Sequence, residues 1–319
     1  TTLMVKDTKT EEPVRRPSGR PSGFFTRFYV EPKERWYYYL ILPTVLVLLV
    51  VNIYPLIYSV AVSLTNYKLT SFNSVKFVGL KNYIDLLSNS DFLHSMRNTL
   101  VYVVCSVSVE LVLGVMIAVL LFKLERSGNT LLSFFLLPMM LTPVIVGIMW
   151  RFMYNYDLGM INAFLEKIGF DRLSFISNSK AVLFCLSAVD VWQWTPYVIL
   201  LTFGSLQSLP RDVMEAAEID GASSWQRFQH VVLPYLSGTL TVCLLIRMID
   251  AIKEYDKVYT MTQGGPGNAS ETASFYIYRQ AYKFFNTSSA AAASIILLII
   301  TVFVSNIIVK RMRKNEYKN

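Results

Sequence analysis

The residues best suited to chemistry lie in one apolar stretch, which reads Asp190-Val191-Trp192-Gln193-Trp194-Thr195-Pro196-Tyr197. Its carboxylate and amide groups can hydrogen-bond hydroxyl groups, and its aromatic rings can stack on the C–H faces of a sugar. Four side chains at helical spacing would supply both kinds of contact from one side of a helix: Asp190, Gln193, Trp194 and Tyr197. Trp and Tyr also gather at membrane interfaces as anchoring belts, and the sequence leaves that interpretation open for Trp192 and Trp194.

Four ionisable side chains lie inside apolar stretches: Glu110, Asp190, Arg247 and Asp250. Charged groups are costly inside a membrane, so such residues are functional candidates. Arg247 and Asp250 are three residues apart and share a helix face, where they can neutralise each other or contact a ligand. Glu110 can equally hydrogen-bond a backbone or hydroxyl group of a neighbouring helix.

The composition indicates that a membrane protein positions these groups. Hydrophobic residues make up 53% of the 319 positions, charged residues 16%, and the mean hydropathy is +0.41. These values exclude a single large soluble domain. The net charge of +8 is concentrated in the two ends of the chain, so we expect membrane lipid and no nucleic acid as a partner.

The sequence offers little for enzymatic chemistry. Cys105, Cys185 and Cys243 each lie in an apolar segment without metal-ligand spacing, which favours buried thiols over disulfides or a metal. The two histidines, His94 and His230, are far apart in sequence. We therefore expect no catalytic residue, no metal and no cofactor in this chain.

Apolar runs of membrane-spanning length predict an all-α integral membrane protein with six transmembrane helices. The runs extend over about Tyr37–Leu64, Met96–Phe122, Leu131–Tyr154, Ala181–Leu206, Tyr235–Ala251 and Ala290–Val309. A disordered basic tail, 1–35, precedes the membrane domain, 36–309, and a basic tail, 310–319, follows it. Prolines in the first and third runs predict kinks, at Pro43, Pro55, Pro138 and Pro143.

The distribution of Lys and Arg predicts the orientation. With the N-terminus inside, cytoplasmic segments carry 17 of the 30 basic residues, and the two tails carry most of these. The positive-inside rule then places both termini in the cytoplasm of a multi-pass protein in the cell's cytoplasmic membrane. The polar loop 209–234 falls on the same side.

This loop has a helical rather than an irregular pattern. Pro210 suits the start of a helix that contains Glu215, Ala216 and Ala217, and Asp220-Gly221 ends that helix. Ser223 and Gln226 have the spacing of a capping box that begins a second short helix. The loop is therefore predicted to be a helix–turn–helix outside the lipid.

Glu215-Ala216-Ala217, Gly221 and Leu233-Pro234, with Val231 between them, resemble the EAA signature of permease subunits in ABC importers. The resemblance implies a type I importer permease fold in which Glu215, Ala216, Ala217, Asp220 and Gly221 couple the membrane helices to an ATP-binding subunit. An ordinary amphipathic helix pair is the simpler alternative. The implied partners are a dimer of ATPase subunits that uses ATP and Mg, a second six-helix permease, and an extracytoplasmic sugar-binding protein.

Two further stretches support a carbohydrate importer by resemblance. Phe77-Val78-Gly79-Leu80-Lys81-Asn82-Tyr83 resembles the stretch that follows the first span of sugar permeases. In maltose-type permeases the spans on either side of the coupling loop line the sugar site, which here implies Asp190, Gln193 and Trp194 with Arg247, Asp250 and Ala251. The glycine-rich stretch Thr262–Gly267 is either a plain turn or an outer loop near the docked binding protein.

An ion-coupled secondary transporter is the main alternative. Glu110 and Asp190 would then be the coupling carboxylates, and inverted repeats would relate the two halves of the chain. No convincing repeat is visible in the sequence. A membrane scaffold without transport activity and a membrane enzyme are weaker alternatives.

Overall fold

The computed structural model describes residues 35–70, 75–124 and 126–316, which are largely helical. The predicted N-terminal tail lies outside these residues, except for Arg35. The helices are α1 Arg35–Leu48, α2 Tyr54–Ser63, α3 Lys81–Leu87, α4 Ser90–Lys123, α5 Arg126–Phe135, α6 Pro143–Met153, α7 Met160–Lys167, α8 Val182–Gln207, α9 Arg211–Ile219, α10 Ser224–Arg227, α11 Leu233–Ile252, α12 Ala273–Tyr278 and α13 Thr287–Glu316.

The chain forms two compact units, which divide after Leu56. In the first unit α1 contains Pro43 and continues through a π-helical stretch, Leu49–Ile53, into the start of α2. Pro55 lies two residues after this stretch, and its missing N–H accounts for the altered hydrogen-bond pattern. The predicted prolines therefore change the helix geometry without ending the helical segment.

Five helical segments in the described residues are long and apolar enough to cross a membrane. They are Tyr38–Ser63, Ser90–Lys123, Val182–Gln207, Ser224–Ile252 and Thr287–Arg311. Each coincides with a predicted span. The last helix, α13, continues to Glu316, so the predicted boundary at residue 310 is not a helix end.

The third predicted span, Leu131–Tyr154, is not one continuous helix. It consists of α5, a 3₁₀ turn at Pro138–Met140, and α6, which is only 11 residues long. Proline lacks the N–H that a helix interior needs and restricts the residue before it, which explains breaks at both Pro138 and Pro143. In place of the expected kinks, the helix is fully interrupted, and backbone groups near residue 141 lack helical hydrogen-bond partners.

The second unit is built around α4, α8 and α11. A Cβ atom added to Gly114 of α4 would lie 2.5 Å from the Cβ of Val198 on α8, so the two helices approach closely at this point. Apolar side chains fill the space between the three helices, among them Tyr102, Leu186 and Met248. These helices also carry the charged residues that the sequence singled out.

The helix–turn–helix of loop 209–234 is confirmed, but its second helix is not separate from the fifth span. Helix α10 continues through a π-helical stretch, Phe228–Val232, into α11. Pro234 lies in the first turn of α11, and the π-helical stretch before it accommodates the missing N–H. One helical rod therefore extends from Ser224 to Ile252.

The segment between α11 and α13 folds against the helices instead of forming an open loop. It contains π-helical turns at Val258–Thr262 and Arg279–Lys283 with α12 between them. Gly147 of α6 has no room for a Cβ atom because the side chain of Thr260 lies against it. Gly264 and Gly267 have φ values of 83° and 62°, so the predicted tight backbone at this glycine-rich stretch is confirmed.

Candidate functional site

The second unit contains a buried ion-pair cluster organised by Arg247 of α11. Its Nε atom donates to Glu110 Oε2 of α4 at 2.7 Å, and its Nη2 atom lies 3.1 Å from Glu110 Oε1. The same Nη2 atom donates to Asp190 Oδ2 of α8 at 3.1 Å. All three side chains are at most 2% exposed. One guanidinium group therefore joins the three central helices.

Lys257 is the second cation of this buried cluster. Its Nζ atom lies 3.0 Å from Asp190 Oδ1 and 2.6 Å from Glu254 Oε2. It also donates to Gln193 Oε1 at 3.3 Å. The sequence analysis did not single out Lys257 and Glu254, which lie just beyond the fifth apolar run. Their i, i+3 spacing directly after the fifth span was the only available signal.

The buried cluster contains three carboxylates and two cations: Glu110, Asp190, Glu254, Arg247 and Lys257. Buried charges lose hydration, and only close pairing with good geometry offsets that cost. The planar guanidinium of Arg247 can contact both oxygens of Glu110, an arrangement that a Lys ammonium cannot reproduce. Removing Arg247 would leave Glu110 buried without a cation, and removing Lys257 would do the same to Glu254.

The pairing of Arg247 with Asp250, one of the two alternatives that the sequence left open, is not present in the structure. Although the two residues share a helix face, Arg247 points into the buried cluster, whereas Asp250 is exposed. Carboxylates on two other helices offer Arg247 a buried, bidentate contact that one neighbour on its own helix cannot provide. Asp250 has no ion pair within the described residues and remains available to a ligand.

Gln193 is held at both ends of its amide. Its Nε2 atom donates to the backbone oxygen of Leu141 at 3.0 Å, and its Oε1 atom accepts from Lys257. Leu141 directly follows the 3₁₀ turn in the interrupted third span, where backbone oxygens lack helical partners. Gln193 therefore ties α8 to this interruption, and like Asp190 it is engaged inside the protein.

A cavity of about 170 Å³ lies beside the buried cluster. Four of the predicted site residues line it: Trp194, Arg247, Asp250 and Ala251. Pro143 and Tyr255 also contribute to its wall. Tyr197, Asp190 and Gln193 are not part of this lining. The Arg247 guanidinium lies over the Trp194 ring, 4.8 Å from its centroid, which is cation–π geometry.

The two tryptophans of the sequence motif have different surroundings. Trp192 packs edge-on against Trp150 of α6, with ring centroids 5.5 Å apart. Trp194 faces the cavity and the guanidinium group. Trp192 is therefore a packing residue between helices, whereas Trp194 combines an aromatic surface with access to the cavity.

The polar loop presents the EAA-like residues at the surface. Glu215 and Ala216 are exposed on α9, and Asp220 follows the helix as its C-cap. Gly221 has a φ of 78°, and the Ser223–Gln226 capping box is present, as predicted. An ion pair of 2.9 Å between Glu218 and Arg227 joins the two arms of the turn. Ile219 is 86% exposed, which is unusual for such an apolar side chain.

A second polar cluster joins the beginning of α4 to the segment between α11 and α13. Asn98 of α4 donates to the backbone oxygens of Asn268 and Glu271 at 3.0 and 3.1 Å. Arg279 lies 3.1 Å from Glu271 Oε2 and 3.7 Å from Asp91 Oδ2. Burial raises the pKa of the Glu271 carboxyl to about 7, although Arg279 opposes the change. This cluster fixes the glycine-rich stretch to α4.

The five helical segments of membrane-spanning length in the described residues indicate a multi-pass membrane protein. Over residues 110–314 the chain matches the family of binding-protein-dependent transport system inner membrane components. This match covers more than half of the chain, and the chain belongs to this family. The matched region begins at Glu110 and contains all the other residues of the buried cluster and the polar loop.

Individual relatives agree with the family. The chain is 40% identical to the probable ABC transporter permease protein y4oQ of Sinorhizobium fredii, over 77% of this chain and 79% of the relative. It is 35% identical to the trehalose/maltose transport system permease protein MalF of Thermococcus litoralis, over 78% and 83%. A solved bacterial ABC transporter that imports the acidic polysaccharide alginate has the same fold, with a TM-score of 0.77, 20% identity, and coverage of 88% of this chain and 96% of that chain.

Proposed function

We propose that this chain is a permease subunit of an ATP-driven importer that moves a carbohydrate into the cell. The observation that carries the proposal is the exposed helix–turn–helix of loop 209–234, which belongs to a chain of the binding-protein-dependent transport family. The trehalose/maltose permease among its relatives supports carbohydrate as the substrate class. Trp194 and Asp250 in the cavity supply an aromatic surface and a free carboxylate for such a ligand.

ATP hydrolysis requires another polypeptide. The 319-residue sequence contains no Gly-x-x-x-x-Gly-Lys-[Ser/Thr] phosphate loop. Apolar side chains on the polar loop are exposed to different degrees, 46% for Val213, 86% for Ile219 and 63% for Trp225. Together with Glu215, for which the described residues provide no ion pair, they form a docking surface for an ATPase subunit.

The helical rod Ser224–Ile252 gives this docking surface a mechanical connection to the cavity. It is about 43 Å long at 1.5 Å per residue. One end bears the capping box of the polar loop, and the other bears Arg247 and Asp250. A displacement of the loop by a closing ATPase dimer therefore moves the buried cluster and the cavity wall together, as alternating access requires.

The assembly that follows has both termini of this chain in the cytoplasm, a second permease, two ATPase subunits and an extracytoplasmic binding protein. Basic residues at both ends of the sequence support this orientation. One chain supplies one wall of a pathway, so the cavity is completed by the second permease.

No observation favours ion-coupled transport through Glu110 and Asp190. Both carboxylates are paired with Arg247, and Asp190 is also paired with Lys257. A coupling carboxylate has to exchange its ion with the medium during each cycle, whereas these two groups are buried and neutralised.

Co-purification tests the docking surface. The chain is expressed with the ATPase, the second permease and the binding protein encoded beside it, and the ATPase retained is measured for native, Glu215→Lys and Gly221→Asp chains. We expect the native chain to retain the ATPase, and both variants to release it or to uncouple its hydrolysis from the loaded binding protein. Asp212→Asn, on the first turn of the same helix, is the control. Equal retention and coupling in all four chains would overturn the proposal.

A further inference from the structure

The segment between α11 and α13 carries a continuous series of aromatic rings, here called the aromatic series: Tyr255, Tyr259, Tyr278 and Tyr282. Ring centroids are 5.4 Å apart for Tyr255 and Tyr259, and 5.0 Å for Tyr255 and Tyr278. Tyr259 and Tyr278 are 5.5 Å apart, and Tyr278 and Tyr282 are 5.4 Å apart. Each ring therefore contacts the next.

The aromatic series leads from the cavity to the protein surface. Tyr255 lines the cavity together with Trp194. Tyr259 is 39% exposed and Tyr282 is 69% exposed. Phe275, which is only 1% exposed, stacks against Tyr255 and fixes that end of the series to the core. The series thus has one end at the candidate site and the other at the surface.

The chemistry of these rings suits a chain of sugars. A sugar ring presents a flat set of C–H bonds that packs on an aromatic face, and its hydroxyl groups hydrogen-bond phenol groups. Four tyrosines in succession offer both contacts repeatedly, with a step close to the width of one sugar ring. A segment needed only for packing has no requirement for hydroxyl-bearing rings, two of which, Tyr259 and Tyr282, are exposed.

We propose that the aromatic series is an extended carbohydrate subsite, which holds the outer units of an oligosaccharide whose terminal unit occupies the cavity. This inference rests on the proposed function and adds to it a ligand class, a neutral oligosaccharide longer than two units. The subsite increases apparent affinity for long chains and leaves that for disaccharides unchanged, since the second unit of a disaccharide reaches only Tyr255 at the cavity and not Tyr259 or Tyr282.

The test uses the complete importer in proteoliposomes with its binding protein. ATP-dependent uptake is measured for trehalose, maltose and a series of linear glucose oligosaccharides of two to seven units. The chains compared are native, Tyr282→Ala, Tyr259→Ala and Tyr282→Phe. Tyr156→Ala is the control, because Tyr156 is a 50% exposed tyrosine outside the series. Melting temperatures identify any variant that fails to fold.

We expect Tyr282→Ala and Tyr259→Ala to raise the half-saturating concentration of the longest chains by roughly three- to tenfold, the loss expected for one stacking contact. Disaccharide uptake should stay unchanged, and Tyr282→Phe should keep most of the long-chain affinity. Unchanged long-chain uptake in both alanine variants, or an equal loss for all chain lengths, would overturn the subsite alone and identify the rings as packing or as an interfacial belt. Absence of disaccharide and long-chain uptake by the native assembly would count against the proposed function itself.

Discussion

Arg247 satisfies two buried carboxylates from different helices, and its removal would leave both without their shared cation. Deleting one partner of a buried ion pair costs about 3–5 kcal/mol. We therefore predict that Arg247→Met strongly lowers the melting temperature of the purified protein. Asp250→Asn changes an exposed, unpaired carboxylate three residues away and is the matched control. Equal melting temperatures for these two variants would show that the buried cluster does not hold the helices together.

Glu271 makes a pH-dependent contribution outside the membrane-spanning helices. Its folded-state pKa of about 7 lies above the ordinary value of 4.5, so the folded protein binds this proton more tightly than the unfolded chain does. The contribution of this group to stability is consequently present at low pH and is lost as pH rises through about 7.

The pH prediction is tested by melting temperatures from roughly pH 5 to pH 8. The melting temperature of the native protein should fall as pH rises from the unfolded-state pKa of Glu271 to its folded-state pKa. Glu271→Gln should reduce this fall. Asp85→Asn replaces an exposed carboxylate and should leave the fall unchanged. If the melting temperature of the native protein changed with pH as little as that of Glu271→Gln, the raised pKa assigned to Glu271 would be wrong.

Sequence alone identified Glu110, Asp190 and Arg247 because a charge within an apolar run is conspicuous. Their pairing could not be read from spacing, since the partners of Arg247 lie 137 and 57 residues away. Lys257 could not be recognised as buried from the sequence, because it lies beyond the apolar run, where charged residues are common. It becomes buried only because the segment after α11 folds back against α8.

At the scale of elements, the contact between α4 and α8 depends on Gly114. A methyl group there would lie 2.5 Å from Val198 and would separate the helices that carry Glu110 and Asp190. Gly114→Ala should destabilise the protein by roughly 1–3 kcal/mol, as overpacking does. Thermal unfolding of the purified variant measures the effect.

Two further variants test whether the lost stability comes from the contact between Gly114 and Val198. Gly238→Ala on α11 meets no atom within 4 Å and should be neutral or slightly stabilising, because Ala favours helix. Adding Val198→Ala to Gly114→Ala should not restore the lost stability, because the Cβ atom of residue 198, itself 2.5 Å from the added methyl group, remains. A Gly114→Ala variant as stable as Gly238→Ala would mean that α4 and α8 pack less tightly at this position.

Element boundaries were predictable where local signals are strong. The capping box at Ser223 and the left-handed Gly221 appear as expected because both depend on a few neighbouring residues. The continuity of α10 with α11 was not predictable, since Pro234 usually indicates an interruption and only a π-helical stretch preserves the helix. At Pro138 and Pro143 the helix is interrupted instead, because two prolines five residues apart leave no room for a π-helical stretch between them.

For the whole molecule, the apolar runs were sufficient to predict an all-α membrane fold, because a membrane-spanning helix needs little more than length and apolar composition. The position of the cavity required the structure. The cavity lies where α8, α11, Pro143 and Tyr255 meet. Pro143 and Tyr255 are more than 100 residues apart in the sequence.

In the proposed function, this chain carries a sugar inward with energy from ATP that a partner subunit hydrolyses. The most direct measurement is uptake of radiolabelled oligosaccharide by proteoliposomes that contain the full assembly, with ATP enclosed with the ATPase subunits and the loaded binding protein on the opposite side. We expect uptake that needs ATP, persists when ionophores dissipate every ion gradient, and is lost with Gly221→Asp. Uptake that proceeds without ATP and follows an imposed ion gradient would contradict it.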